Sequence, residues 1–367
     1  MTSFSEHEQR HMARALCLAE KAKGMTFPNP AVGAVVVRDG TVVGTGATDV
    51  CGGPHAEVTA LRRAGRRAGG ATLFVTLEPC SHYGRTPPCT EAITRAGVAE
   101  VIAATRDPNP LVSGKGLAFL RRNGIAVRSG LLRNKARRLN EDYEWSITAG
   151  SAWVTLKLAM TLDGRVADSR GQSRWITAKA SRAFVHELRR RHAAIAIGRQ
   201  TLLADDPSLT VRHVQGKSPV RIVFSSSARY GYGTRLRRTA KEVRTVFVCP
   251  GGRVPKRSVA TDGVEIWRTG YPQGKWHLVA ALAMLNEDGL SSILLEGGRG
   301  LASSFLQHRL VNRLYLFYGN VLLGGGLEGV HFGKEPLPID SPLRLKSREV
   351  RQFGDDVMIS GIPGWSE

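Results

Sequence analysis

The sequence predicts two α/β domains in tandem. Three observations lead there. Its 367 residues exceed what a single hydrophobic core usually spans. Helix-period and strand-period segments alternate from the N-terminus, the pattern of a mostly parallel sheet covered on both faces. After the helical stretch NKARRLNEDYEWSITAG the alternation starts afresh at WVTLKLAM. Gly150 and Ser151 therefore lie at the junction, and the domains are taken as residues 1–147 and 148–367.

In the first domain, residues 6–23 carry a helical apolar stripe through Met12, Leu16 and Ala19. AVGAVVVRDGTVVGTGA is a hairpin turning at Asp39-Gly40. A helix over 55–68, the buried strand ATLFVTLE, a helix from about Thr90 and the strand AEVIAAT follow. The loop RDPNPLVSGKG leads to a helix over about 115–123 and a short strand near Ile125. In the second domain the strand-like runs are AAIAIG, VRIVFS, VRTVFVC and SSILLEGG, with helical stretches at about 178–191, 277–287 and 301–309. No internal repeat relates the halves, so two unrelated folds are expected.

Hydrophobic residues at 42% and charged residues at 23% are those of a globular protein. No apolar run approaches bilayer-crossing length, and the N-terminus alternates charge with its helical stripe instead of carrying a signal core. A cytoplasmic protein is expected. The five cysteines, Cys17, Cys51, Cys80, Cys89 and Cys249, are few and odd in number, which favours thiol or metal chemistry over a disulfide framework. The net charge of +21 is dispersed, as in LRRAGRRAGG and LRNKARRL, without a basic block. A nucleic-acid substrate is not expected on that distribution; such a field also steers phosphorylated small molecules.

Two stretches carry the first site: PHAEVTALRRAG from Pro54 and TLEPCSHYGRTPPCTEA. His55 and Glu57 open a helix behind Pro54, Cys80 follows a buried strand, and Cys89 stands just before a helix. One histidine and two cysteines form a catalytic zinc set that leaves a position for water. His-x-Glu followed by a cysteine pair is the pattern of zinc nucleobase deaminases, in which the glutamate moves protons and does not bind metal. Each residue alone also suits an ordinary helix start or a small buried side chain; together, in this order, they point to zinc. His82 lies between the cysteines, where a substrate contact is favoured over a ligand role. Cys17, Cys51 and Cys249 are read as ordinary residues.

Here eight residues, SHYGRTPP, separate Cys80 from Cys89, where the common form has two. With PNPAVG upstream and DPNP downstream, this loop resembles the deaminase domain of the bifunctional riboflavin biosynthesis enzymes, within the cytidine deaminase-like superfamily, over residues 8–145. The resemblance implies zinc-dependent deamination of 2,5-diamino-6-ribosylamino-4(3H)-pyrimidinone 5′-phosphate, with Glu57 catalytic and Asn29 facing the pyrimidine. One departure stands out: Thr48, in GATDV, occupies the place of the family's histidine in GYH or GWH.

In the second half, Glu296-Gly-Gly-Arg-Gly between a strand and a helix suits phosphate binding by backbone amides, or is an ordinary tight turn. Lys157 sits within a strand pattern, where a lone lysine usually marks an edge, and Asp205-Asp206-Pro207 reads as a turn or cap. The motifs TLKLAMTLDGRVA, SRWIT, GRQTLLADDPSLTVR and ILLEGGRGLASSFLQ resemble the reductase domain of the same family, of dihydrofolate reductase-like fold, over about 151–361. That resemblance implies hydride transfer from NADPH to C1′ of the ribosyl group through its ring-opened imine. Lys157 and Asp205 would hold and protonate that group. Ser173, Arg189, Leu209, Arg212 and Glu296 would meet the substrate. Ala159, Trp175, Thr201, Asp205, Gly298, Arg299, Gly300, Leu301, Ala302, Ser303 and Ser304 would meet NADPH. The resemblance also implies a homo-oligomer, dimer or tetramer. Three other readings stay open: a polynucleotide deaminase using the same zinc set, an enzyme with one silent domain because of Thr48, and a non-catalytic zinc scaffold. Against the last stands Glu57, which a structural site does not need.

Overall fold

The computed structural model describes residues 4–84, 86–227, 233–332 and 336–365, so Arg85 of the inter-cysteine loop lies outside the described residues. The chain divides into two compact units, Met1–Gly150 and Ser151–Glu367. Among the described residues no helix is long and apolar enough to cross a membrane.

The first unit runs α1 (Glu6–Ala22), β1 (Gly33–Arg38), β2 (Thr41–Ala47), α2 (Ala56–Ala64), β3 (Thr72–Val75) and α3 (Cys89–Arg95). It continues with β4 (Glu100–Ala103), α4 (Lys115–Arg122), β5 (Ala126–Ser129), α5 (Arg133–Leu139) and α6 (Glu141–Ala149). Ser5 caps α1 in a capping box with Glu8, satisfying backbone donors at the helix start. The sheet order is β2-β1-β3-β4-β5. It is mixed, where a mostly parallel sheet was expected. The hairpin makes β1 antiparallel to β2, and β1 also lies antiparallel to β3; only β3-β4 and β4-β5 are parallel.

The alternation of side chains along β1 explains its unbroken apolar run. Ala34 and Val36 pack with Ala60, Leu61, Ile93 and Leu117 on one face, while Val35 and Val37 pack with Met12, Ala15 and Ala136 on the other. Burial on both faces makes a three-layer α/β/α unit. Glycines in β2 let α2 lie directly on the strand: a Cβ on Gly46 would fall 2.1 Å from the Ala56 carbonyl oxygen. Ala56 is the residue after His55, so this approach sets the height of the first site. Gly46→Ala is expected to destabilise the first unit by about 1–3 kcal/mol, the usual cost of overpacking, and to weaken metal binding there. Urea unfolding together with a zinc titration tests this; unchanged stability would show that the contact relaxes freely.

The second unit opens with β6 (Trp153–Thr161), β7 (Arg165–Ala167), α7 (Lys179–Arg191), β8 (Ala194–Gly198), α8 (Arg199–Asp205), β9 (Val220–Phe224) and α9 (Arg235–Arg238). Next come β10 (Thr245–Cys249), β11 (Lys256–Val259), β12 (Glu265–Arg268), α10 (Lys275–Glu287), β13 (Ser292–Leu295) and α11 (Arg299–Gln307). It closes with β14 (Arg313–Gly319), β15 (Leu327–Glu328), β16 (Arg344–Phe353) and β17 (Asp356–Gly364). The large sheet has the order β11-β12-β10-β9-β8-β13-β6-β14-β17-β16. Strands β12 to β14 along that row run parallel, and antiparallel strands finish both edges. β13 returns between β8 and β6, so the strand order reverses there; the carboxyl ends of strands beside such a reversal form a ligand crevice.

Candidate active sites

In the first unit the three predicted ligands converge. His55, Cys80 and Cys89 bring one ligand atom each to within 4.8 Å of one another. His55 is the N-cap of α2, Cys89 the first residue of α3, and Cys80 follows β3. His55 Nδ1 lies 3.1 Å from Cys89 Sγ and 3.6 Å from Cys80 Sγ, and the Cys89 backbone N–H donates to Cys80 Sγ at 3.3 Å. A nitrogen and two sulfurs at this spacing suit zinc with a fourth position left over. The Cys80 thiol is drawn down to about 4, first by the hydrogen bond from the Cys89 thiol and then by His55. Cys89, donor to that same sulfur and buried, is pushed up.

Glu57, in the first turn of α2, is only 4% exposed. Burial, with the neighbouring Cys80 charge, pushes its carboxyl up to about 7. A dication in the triangle would pull it back down. It is thus a buried acid next to the cysteine pair.

Glu78, which sequence reasoning missed, holds the Cys80 turn in place. Its carboxylate accepts backbone N–H groups from Gly114 at 2.9 Å, Gly116 at 3.0 Å, Leu117 at 3.2 Å and Asp107 at 3.3 Å. It thereby ties the start of α4 and the DPNP loop to the loop after β3 that carries Pro79 and Cys80. Asn29 is half-buried on a turn in which its N–H donates to Thr26 O at 2.9 Å and its carbonyl accepts from Thr26 Oγ1 at 3.0 Å. Asn140 holds the adjoining Ala31 through both backbone groups. His82 is exposed on the inter-cysteine loop and stands outside the ligand triangle. Thr48 accepts the Val32 N–H at 3.0 Å, so its hydroxyl serves the start of β1.

The second unit holds a cavity of about 1080 Å³. Its walls come from the parallel strands and their carboxyl ends: Lys157 and Ala159 of β6, Gly198 at the end of β8, Ser225 after β9 and Glu296 after β13. Ser173, Trp175, Thr201, Asp205 and Arg212 also face it. The glycine turn contributes Gly298, Arg299, Gly300, Leu301 and Ser304. Leu209, Ala302 and Ser303 do not line it. Leu209 packs in the core under α8 and α9, Ala302 is fully buried, and Ser303 Oγ accepts the His331 N–H at 2.9 Å.

Lys157 is not at a sheet edge. β6 lies between β13 and β14, and burial pushes the Lys157 ammonium down against the opposing pull of Glu296, 3.9 Å away. Burial would raise Glu296, but Arg189 and Lys157 outweigh it and hold the carboxyl at about 2. Arg189 grips Glu296 with two bonds, at 2.6 and 3.0 Å, and donates to Thr210 O at 3.1 Å. Its fork is spent on a carboxylate, which leaves Arg212 the better placed of the two to meet a phosphate with both arms. His186, another residue that the sequence did not reveal, accepts the Arg212 backbone N–H at 3.1 Å through Nδ1. Burial, then Arg189, His213 and Arg212, push the His186 pKa down to about 4, so the ring is a neutral acceptor. At the glycine turn, Gly298 N–H already donates to Thr201 Oγ1 at 2.9 Å. The amides that follow open α11 and suit an anion. Trp175 is 69% exposed at the mouth, with the Arg182 guanidinium 4.4 Å over its ring.

Comparison with known proteins agrees with both halves. Residues 152–359 match the RibD C-terminal domain, and residues 5–105 match the cytidine and deoxycytidylate deaminase zinc-binding region. The riboflavin biosynthesis protein RibD of Aquifex aeolicus is 41% identical over 356 residues, 96% of this chain and 98% of that one. The chain belongs to the RibD family of riboflavin biosynthesis proteins. Its Escherichia coli member is 40% identical over 369 residues, with 96% and 98% of the two chains covered. The structure of Acinetobacter baumannii RibD superposes with a TM-score of 0.86 at 35% identity, covering 98% of this chain and 99% of that one. A Thermotoga maritima family structure, described as a diaminohydroxyphosphoribosylaminopyrimidine deaminase/5-amino-6-(5-phosphoribosylamino)uracil reductase, gives 0.86 at 34% identity with the same coverage. The fold is thus a cytidine deaminase-like domain followed by the family's reductase domain. A polynucleotide deaminase is not favoured, because near end-to-end similarity includes the second half.

Proposed function

We propose that the chain is a bifunctional riboflavin biosynthesis enzyme that deaminates 2,5-diamino-6-ribosylamino-4(3H)-pyrimidinone 5′-phosphate and then reduces the ribosyl group of the product. The observation that carries this is the buried Glu57 beside the three converging ligand atoms, followed in the same chain by the cavity containing Lys157 and Glu296. Residues 1–147 are assigned the first step and 148–367 the second.

Zinc held by His55, Cys80 and Cys89 would supply the Lewis acidity that makes water nucleophilic near neutral pH. Glu57 takes a proton from the attacking water and passes it to the ring nitrogen. It then takes the proton left on the new C–OH group and delivers it to the amino group, which departs as ammonia. A C–O bond forms, the exocyclic C–N bond breaks, and the proton count balances. Asn29 and His82 contact the pyrimidine.

In the second step NADPH would supply the hydride to C1′, yielding the ribityl chain. The contacts assigned to it are Trp175, Thr201 and, from the glycine turn, Gly298, Arg299, Gly300, Leu301 and Ser304. Lys157 and Asp205 hold and protonate the ribosyl group, while Arg212, supported by His186, meets the phosphate. Ser173 and Glu296 complete the substrate contacts, and Arg189 holds Glu296. The protein's contribution is orientation of the two reactants in one cavity. We place the enzyme in the cytoplasm, where cysteine ligands stay reduced.

Mass spectrometry of products from zinc-replete protein tests both steps. Deaminated product without NADPH, and deaminated, reduced product with it, are expected. Bound zinc without deamination, while separately supplied deaminated substrate is reduced, would show that the first domain is silent and overturn the bifunctional reading.

A further inference from the structure

The length of the inter-cysteine loop has a chemical use at His55. Nδ1 of this residue points between the two sulfurs, at 3.1 and 3.6 Å. The opposite ring nitrogen, Nε2, lies 3.3 Å from Thr86 Oγ1. A ring nitrogen that gives its lone pair to a metal cannot carry a proton, so in the neutral imidazole the hydrogen sits on Nε2. There it meets a hydroxyl oxygen able to accept it. Thr86 is the sixth of the eight residues between Cys80 and Cys89. A two-residue link would have no residue to spare for this position.

The local chain keeps Thr86 still. Pro87 and Pro88 follow it, fixing their own φ angles and restricting Thr86 to extended backbone. Gly84 N–H donates to the Thr86 carbonyl at 3.3 Å, and the segment then enters α3 at the buried Cys89. The hydroxyl is half-buried, which shields the hydrogen bond from competing water.

We propose that Thr86 is a positioning residue that fixes the tautomer and the ring orientation of His55 for zinc. This rests on the zinc reading of the triangle. Partners of this kind commonly change metal affinity by about 10–100-fold when removed.

The test uses the full-length protein with zinc and a chromophoric chelator in competition. Thr86→Val keeps the shape and removes the acceptor; Thr86→Ser keeps the hydroxyl. Expected are about a 10–100-fold loss of zinc affinity for the valine variant and near wild-type affinity for the serine variant. Melting of the zinc-free proteins should coincide and reductase turnover should be unchanged, which separates a lost hydrogen bond from a damaged fold. Wild-type zinc affinity in Thr86→Val would overturn the proposal, as would an equal loss in both variants. Failure of the wild-type protein itself to bind zinc would instead overturn the zinc reading.

Discussion

Replacing Glu57 with glutamine is expected to leave one zinc per chain while lowering deamination by about 10²–10⁴-fold, the range a positioned acid-base group contributes. Glutamine fills the same buried space in α2 but can neither take a proton from water nor return one to ammonia. Because His55, Cys80 and Cys89 are untouched, the metal stays. Reduction, carried by the second unit, continues at the wild-type rate. Metal analysis by inductively coupled plasma mass spectrometry, beside separate assays of the two steps, checks each part. Residual deamination within a few fold of wild type would remove Glu57 from the mechanism, and loss of zinc would make it a structural residue.

The second large effect belongs to Glu296. Glutamine at this position leaves Arg189, which makes two bonds to the carboxylate, and Lys157, 3.9 Å from it, without their shared anion. Uncompensated buried charge of this kind costs about 3–5 kcal/mol, and reduction should fall with it. The pH dependence has a defined sign. Burial opposes ionisation, yet Arg189 and Lys157 hold the folded-state carboxyl at about 2, below its ordinary value of 4.5. A depressed carboxyl contributes stability that is fully present above about 4.5 and is lost as pH falls toward 2. Thermal unfolding of the wild-type protein should therefore show an acid loss that Glu296→Gln lacks, and the difference between the two curves isolates this group from the other carboxylates. Parallel curves, or a cost under about 1 kcal/mol at neutral pH, would mean that the network is solvated and weak.

The deaminase ligands were legible because their chemistry is local. His55 and Glu57 open one helix, Cys80 lies in the loop after β3 and Cys89 begins another helix, so the residue types and their order carry the site. The central strands of the second unit were legible as well, since β8, β9, β10 and β13 are short apolar runs buried on both faces. The C-terminal hairpin was not. β16 is exposed along much of its length and crowded with charge, so no apolar alternation announces it. β14 also went unassigned, although Phe317 within it is fully buried in the core under α7.

By itself, then, the sequence determined the two-domain α/β class, the one histidine and two cysteines that converge in the first unit with an acid near them, and the residue types that gather at the glycine turn. The tertiary structure decided the rest. It set Lys157 in a central strand opposite Glu296, spent the fork of Arg189 on that carboxylate, seated His186 beneath Arg212, and brought Thr86 to the far side of His55. The physical reason is range. Capping, turn chemistry and side-chain periodicity act within a few residues and leave their mark in the sequence. Which buried charge meets which partner depends on strand register and on the return of distant segments, and a single residue of slip would turn every side chain of a strand to its other face.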